Sequence, residues 1–175
     1  MGIGYSDTRR FDSEARSEDY TPAVSSMLAV DSRGRPVGGA DRFQDFLQNQ
    51  LLPQVAERFE VDASRRALLG HSYGGLFALY TALTRPRLFS DYLAISPSLW
   101  WGDGFLYALP SAGASGKTRV LLGAGDQERG QRPAFAEATD TPSTSVPAMC
   151  DNVVCFAQWL QTGHADWVID HRSVS

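Results

Sequence analysis

The five residues Gly70-His71-Ser72-Tyr73-Gly74 constrain the fold of this chain more than any other feature. They follow the short run from Arg65 to Leu69 and open the apolar segment 75–83, which an Arg-Pro pair ends. Gly70 and Gly74 lack the Cβ atoms that would collide if a strand and a helix closed on the serine between them. The pattern therefore predicts a strand, a sharp turn that displays Ser72, and a helix.

Ser72 is the candidate nucleophile, because a turn of this kind holds a serine hydroxyl in the open beside a base. The helix that follows supplies backbone N–H groups to a developing oxyanion, and the N–H of Tyr73 is the first donor expected. The Gly-x-Ser-x-Gly pattern alone is weak, since a plain glycine-rich turn also satisfies it. Its position between an apolar strand and an apolar helix favours the catalytic interpretation.

The candidate base is one of only three histidines. In this arrangement the nucleophile is followed along the chain by an acid and then by the histidine. His71 lies inside the turn, and His164 precedes the last predicted strand, at the wrong end of the sheet. The last predicted strand is Trp167–Ile169, and His171 directly follows it and Asp170, at the end where ligands gather. The alternative for His171 is a solvated residue near the C-terminus.

Two carboxylates, Asp126 and Glu128, lie just past the predicted strand from Thr118 to Leu122. A carboxylate at this position can hold the tautomer of a histidine and stabilise the imidazolium. Either residue fits, and both also fit the description of ordinary loop charges. The sequence therefore predicts an acid at Asp126 or Glu128 without choosing between them.

Adjacent tryptophans, Trp100 and Trp101, follow the predicted strand from Asp91 to Ile95. Aromatic side chains at the carboxyl end of a strand are typical of a wall of a substrate cleft, and they are equally typical of core packing under a loop. Neighbouring side chains in an extended loop face opposite ways. We expect one tryptophan to fill each role.

The remaining elements predict an α/β fold with a mostly parallel sheet flanked by helices. A helix starting at Asp41 and kinked at Pro53 has its apolar residues three and four apart, and the apolar positions are Phe43, Phe46, Leu47, Leu51, Val55 and Phe59. A second helix covers 151–160, a loop covers 131–147, and the first 40 residues are expected to connect rather than to form core. With 175 residues and 43% hydrophobic content, one domain over 1–175 is the expectation.

Composition excludes several classes of partner. The net charge of -4 and the scattered arginines provide no basic stripe for nucleic acid. No apolar stretch reaches the ~18 residues of a membrane span, and no signal peptide is visible, so the cytoplasm is the default location, with export open if the N-terminus begins further upstream. Cys150 and Cys155 are expected to be reduced packing residues, with no metal site. The sequence carries no signal for a particular oligomeric state.

Together these motifs resemble the esterase D-like branch of the α/β-hydrolases, which includes the enterobactin and salmochelin trilactone esterases. The residues that carry the resemblance are Arg9-Arg-Phe-Asp12, Asp19-Tyr-Thr-Pro22, Gly38-Gly-Ala-Asp-Arg-Phe43, His71-Ser-Tyr-Gly-Gly-Leu-Phe77, Ser96-Pro-Ser-Leu-Trp-Trp101 and Gly125-Asp-Gln-Glu128. The resemblance implies hydrolysis of a small-molecule carboxylic ester through an acyl-serine, without a cofactor or metal, and some members of the family use Ser and His with no firm acid.

The chain departs from that family at both ends. Members normally begin upstream with several strands and a loop that supplies the second oxyanion donor, so a partial α/β-hydrolase fold is expected. The histidine of the family follows a longer last strand within Gly-Glu-x-His-Gly, whereas this chain runs from Asp170 directly into His171. The leading hypothesis is a serine esterase, and the alternatives are a catalytically inactive fragment of one or an acyltransferase on the same fold.

Overall fold

A parallel sheet organises the part of the chain that the computed structural model describes, which is residues 12–25, 27, 29–110, 118–125, 128 and 149–174. The four strands follow one another across the sheet in chain order, each parallel to the next. The strands are β1 (Ala67–His71), β2 (Asp91–Ile95), β3 (Arg119–Gly125) and β4 (Val168–Val174). The helices are α1 (Ser13–Tyr20), α2 (Ala40–Phe46), α3 (Leu52–Arg58), α4 (Tyr73–Thr84) and α5 (Met149–Gly163). The predicted α/β class is confirmed.

The core lies between the sheet and its helices. Helix α4 packs against β1 and β2, and α5 packs against β3 and β4. Side chains alternate between the two faces of a strand, and those of Tyr92, Ala94 and Leu122 on the helix-covered face are completely buried. On the opposite face, Leu69 and Val168 are 66% and 56% exposed. Apolar burial is therefore concentrated on the face that carries the helices.

The predicted helix from Asp41 exists but is divided by a π-helical turn over Leu47–Leu51. A proline removes one backbone donor and clashes with the carbonyl four residues earlier, so the wider turn lies just where Pro53 requires the ladder to open. The helix ends at Arg58. Phe59 lies beyond it and is 64% exposed, so the prediction that it is one of the apolar positions of the helix is wrong.

The expectation that the first 40 residues form no core is wrong, because α1 packs beside α2 and α4. The Oδ1 atom of Asp12 caps α1 by accepting two backbone N–H groups of the first turn, at 3.0 and 3.1 Å. Ser17 in α1 and Thr21 at its C-terminal cap are completely buried. The hydroxyl group of each donates to the backbone carbonyl four residues earlier. A helix with a polar buried side shows no apolar period, which is why the pattern missed it.

Several element ends differ from those predicted. Strand β2 matches, and β1 lies two residues later than the predicted run from Arg65 to Leu69. Strand β3 begins one residue later than predicted and runs on to Gly125, and β4 continues well past the predicted Trp167–Ile169. The predicted loop 131–147 lies outside the described residues. Cys155 is exposed, so its prediction as a packing residue is wrong, and the side chain of Cys150 lies outside the description. None of the helices in the described ranges is long and apolar enough to cross a bilayer.

Candidate active site

Ser72 occupies the junction between β1 and α4, in the predicted strand–turn–helix. Its backbone has φ 57° and ψ -118°, in the left-handed half of conformational space that a non-glycine residue rarely adopts. Such a conformation costs about 1–3 kcal/mol and persists only where the surroundings enforce it. The N–H of Ser72 donates to the carbonyl of Ile95 at 3.0 Å, which ties the turn to the end of β2.

Two glycines make the close approach possible, and one differs from the prediction. A Cβ atom on Gly70 would lie 2.0 Å from the carbonyl oxygen of Gly74, so this position requires glycine. A Cβ atom on Gly74 would meet nothing within 4 Å, so the prediction that Gly74 prevents a collision is wrong. The second tight position is Gly75, where a Cβ atom would lie 3.1 Å from Ile95 O and from Pro97 Cα.

Ser98, which the sequence analysis did not single out, contacts the candidate nucleophile with both its backbone and its side chain. Its Oγ atom lies 3.4 Å from Ser72 Oγ, and its N–H donates to Ser72 O at 3.3 Å. The residue is only 3% exposed. Across the described ranges, no hydrogen bond joins Ser72 Oγ to a histidine.

Of the two predicted acids, Glu128 lies in the described part of the chain and Asp126 does not. Glu128 follows β3, and its Oε1 atom accepts a hydrogen bond from Ser96 Oγ at 2.7 Å. Its Oε2 atom is buried without a hydrogen-bond partner. Ser96 directly follows β2 and has φ 43°. A carboxylate oxygen is thus available close to the carboxyl ends of β2 and β3.

His171 lies within β4 rather than beyond the end of a strand, because pairing with β3 carries β4 through to Val174. It is in register with Leu122, which is in register with Ala94 and, through it, with Gly70. At roughly 4.8 Å per strand, its backbone lies about 14 Å across the sheet from Gly70. The described conformation therefore does not bring His171 to Ser72, and its catalytic role stays a prediction.

The other histidines lie where the sequence analysis expected them. His164 directly follows α5 and precedes β4; it is buried and stacked on the Trp167 ring at 4.0 Å, and burial lowers the pKa of its imidazole. His71 ends β1 and is exposed, and its carbonyl accepts a hydrogen bond from Arg16 Nη2 at 3.0 Å.

Arg16 connects α1 to the turn. Its guanidinium carbon lies 5.6 Å from the centre of the Tyr73 ring and 5.7 Å from that of Tyr20, within range of a cation–π contact. Burial raises the pKa of the Tyr73 phenol, whose ring packs in the core. As the first residue of α4, Tyr73 carries one of the N–H groups that have no acceptor inside the helix. Its role as an oxyanion donor stays a prediction.

The family described as "Putative esterase" matches residues 12–151. The chain belongs to this family. The matched residues include the Ser72 turn, the Ser96–Trp101 segment and the end of β3.

Several curated proteins similar to this chain carry the names of esterases. The chain is 45% identical over 107 residues to a siderophore triacetylfusarinine C esterase of Aspergillus fumigatus, covering 59% of this chain and 34% of that protein. It is 39% identical over 110 residues to the ferri-bacillibactin esterase BesA of Bacillus subtilis, covering 61% and 38%. The chain therefore spans little more than a third of the length of these two relatives.

Solved structures resemble the fold over nearly the whole chain. The BES protein of Bacillus cereus superposes with a TM-score of 0.77 at 27% identity, over 99% of this chain and 60% of that one. The siderophore hydrolase EstA of Aspergillus nidulans gives 0.75 at 27% identity, over 97% and 62%. These likenesses support the α/β-hydrolase type of fold that the motifs predicted.

The two tryptophans differ in burial, but they do not lie in the extended loop that was predicted, because Trp101 begins a 3-10 turn that ends at Asp103. Trp101 is 2% exposed, its indole N–H donates to Pro22 O at 3.1 Å, and it lines a cavity of about 200 Å³ whose lining does not include Ser72. Trp100 is only half-buried, with its ring 6.1 Å from that of Tyr73. Trp101 is a core residue, and a substrate contact by Trp100 stays a prediction.

The residues around Ser72 include several of the groups that acyl transfer to a serine requires. It presents a hydroxyl in a strained turn, N–H donors at the start of α4, and a buried carboxylate oxygen nearby. Within the described ranges, no group of His, Cys, Asp and Glu is arranged to hold a metal ion. The chemistry that the arrangement supports is nucleophilic attack on an acyl carbon.

Proposed function

We propose that this chain is the nucleophile-bearing part of a carboxylic ester hydrolase in which Ser72 forms an acyl-serine. The observation that carries the proposal is the left-handed backbone of Ser72 at the start of α4, beside the Tyr73 N–H. In the proposed reaction, Ser72 Oγ attacks the ester carbon, the alcohol leaves, and water then releases the acid. The Tyr73 N–H stabilises the tetrahedral oxyanion.

The proposed substrate is an ester of a siderophore. The motivation is the names of the relatives, which are esterases of triacetylfusarinine C and of ferri-bacillibactin. We therefore propose a small-molecule ester, with water as the acyl acceptor and no cofactor. Trp100, half-buried beside Tyr73, is the proposed contact for an aromatic or apolar part of that ester.

The base and the acid are the remaining parts of the proposal. Glu128 is favoured over Asp126 as the acid because its Oε2 atom is buried and unpartnered, as a carboxylate awaiting an imidazole N–H would be. His171 is the proposed base. Since its backbone lies about 14 Å across the sheet from Gly70, it reaches Ser72 only if the last strand leaves its pairing with β3.

The test distinguishes reaction of the Ser72 hydroxyl with a probe from complete hydrolysis of an ester. Purified chain is treated with a fluorophosphonate probe, and hydrolysis of a p-nitrophenyl ester, triacetylfusarinine C and ferri-bacillibactin is measured in parallel. Ser72→Ala should abolish labelling and hydrolysis, whereas Ser64→Ala, which removes an exposed turn serine, should leave both unchanged. Equal labelling of the Ser72→Ala variant and the parent chain contradicts the proposal.

A second candidate is a family member that keeps the turn without catalysing turnover. The position of His171 within β4 favours it, because removing the base of a serine triad typically costs several orders of magnitude in rate. A cooperative thermal melt with neither labelling nor hydrolysis supports this candidate. Transfer of the acyl group to an added alcohol or amine, found by product analysis, supports an acyltransferase instead.

A further inference from the structure

We propose that Ser98 is a positioning residue for the Ser72 hydroxyl, and that Glu128 secures Ser98 indirectly by fixing the backbone of Ser96. This Ser96–Ser98–Glu128 brace rests on the proposed role of Ser72 as nucleophile, and it assigns to Glu128 a function other than that of triad acid. Ser96 Oγ donates its hydrogen bond to Glu128 Oε1, so Glu128 Oε2 can still accept another hydrogen bond.

The contact between Ser98 and Ser72 has two points. The Ser98 N–H holds the Ser72 carbonyl at 3.3 Å, and the Ser98 hydroxyl lies 3.4 Å from the Ser72 hydroxyl. A serine side chain has three staggered rotamers, and a second hydroxyl at 3.4 Å, a long hydrogen-bond distance, favours the rotamer that points toward it. Because Ser98 is 3% exposed, water does not readily replace it in this contact. Ser98 therefore limits where Ser72 Oγ points before an ester arrives.

Ser98 depends on Ser96 through a rigid link. Ser96 has φ 43°, and its N–H donates to Gly123 O at 2.7 Å, which pins the start of the turn to β3. The intervening residue is Pro97, whose ring fixes its own φ. Rotation of the Ser96 backbone out of the left-handed region would therefore carry Pro97 and Ser98 away from Ser72 together.

The hydrogen bond from Ser96 to Glu128 opposes that rotation. It is a bond from a hydroxyl to a carboxylate at 2.7 Å, and such charge-assisted bonds are stronger than those between neutral groups. Ser96 is 5% exposed, and Glu128 Oε2 is fully buried. Burying a polar group is costly unless it is hydrogen-bonded, so breaking the bond from Ser96 carries a desolvation cost that opposes the rotation.

The first readout does not depend on catalysis, since it is amide hydrogen exchange of Ser98 measured by NMR. Glu128→Ala and Ser96→Ala each remove the bond and should speed exchange of the Ser98 amide by about tenfold or more relative to the amides of α4. Glu128→Gln keeps an acceptor oxygen and should retain slow exchange. If Glu128→Ala does not fold, Ser96→Ala breaks the same bond from the other side and carries the test.

The matched control lies at the opposite end of the same strand. Ser90 Oγ donates to the Asp91 carboxylate at 2.5 Å, so Ser90→Ala removes a bond of the same type far from Ser72. The Ser98 amide should exchange at the parent rate in this variant. Parent exchange rates in both Glu128→Ala and Ser96→Ala would overturn the brace, and so would equally fast exchange in Glu128→Gln and Glu128→Ala.

The second readout is the rate at which a fluorophosphonate labels Ser72. Ser98→Ala should lower the rate constant by about tenfold, and in an active preparation kcat should fall while KM stays near its parent value, because orientation of the nucleophile affects the reacting step. Unchanged labelling of Ser98→Ala overturns its positioning role. If the parent chain itself does not label, the proposed function fails, and the exchange measurement still decides whether the brace exists.

Discussion

Replacing Gly70 with alanine tests whether close approach of β1 and α4 is what holds Ser72 in its strained turn. The new Cβ atom would lie 2.0 Å from Gly74 O and 2.1 Å from Gly74 C, both of them backbone atoms that no side-chain rotation can remove. Ordinary contact begins at 3.4 Å, so the strand and the helix must separate by about 1.4 Å.

Overpacking a core typically costs about 1–3 kcal/mol, and this collision is between rigid backbone segments, so we expect Gly70→Ala to cost about 3 kcal/mol or more. For a chain of this size, that corresponds to a fall in Tm of roughly 6–12 °C. Labelling of Ser72 by a fluorophosphonate should fall as well, because the hydroxyl moves with the end of β1.

Two neighbouring glycines supply matched controls. Gly75→Ala must displace Ile95 O or Pro97 by a few tenths of an ångström, and we expect a cost of about 1 kcal/mol. Gly74→Ala meets nothing within 4 Å and lies in a helix, so stability should be unchanged or raised by up to about 1 kcal/mol. Urea unfolding of the three variants gives these free energies. If Gly70→Ala is as stable as Gly74→Ala, the steric explanation of the turn is wrong.

Three further predictions concern the elements around the site. Burial lowers the pKa of His164 below the ordinary 6.5, so its contribution to stability is complete above about pH 6.5 and is lost as pH falls through the folded pKa. Urea unfolding at about pH 7.5 and about pH 5.5 should show the loss, and His164→Gln should reduce it. Asp12→Ala removes the cap of α1 and should cost about 1 kcal/mol, whereas Asp12→Asn should cost less, by thermal melts of both. Tyr80→Phe removes the hydroxyl that donates to Asp41 Oδ1 at 2.7 Å and should cost about 1 kcal/mol in urea unfolding, an effect that should vanish in an Asp41→Ala background.

The elements that the sequence predicts well are those whose burial is apolar. Strand β2 was predicted over its whole length, because it is a short apolar run in the middle of a parallel sheet. Strand β4 was cut short after Ile169, since Asp170 and Arg172 are polar and exposed on an outer strand. Pairing with β3 provides the backbone hydrogen bonds of β4, and these bonds do not depend on the identity of its side chains.

At the site, the sequence predicts what is local and misses what is distant. Ser72 and its turn are encoded within a few residues, so the pattern finds them. The hydrogen bond between Ser96 and Glu128 joins residues that are 32 positions apart, and neither local sequence indicates that the two residues meet. The sequence predicted Gly74 as the second tight position, whereas the structure has Gly75 there. This difference also arises from a distant contact, because the atoms that Gly75 approaches lie at and just after the end of β2.

Backbone strain at this site follows the order of the strands. Ser72 and Ser96 both have positive φ, and each directly follows one of two adjacent parallel strands. Each is held by a bond to the next strand, Ser72 N–H to Ile95 O and Ser96 N–H to Gly123 O. The nucleophile is thus built on β1, β2 and β3, whereas β4 carries the only histidine proposed as base. Since no contact described for β4 fixes that histidine near the turn, rapid labelling of Ser72 without turnover would place the deficit in the base alone. Loss of labelling on replacing Ser98 would place a deficit in the nucleophile.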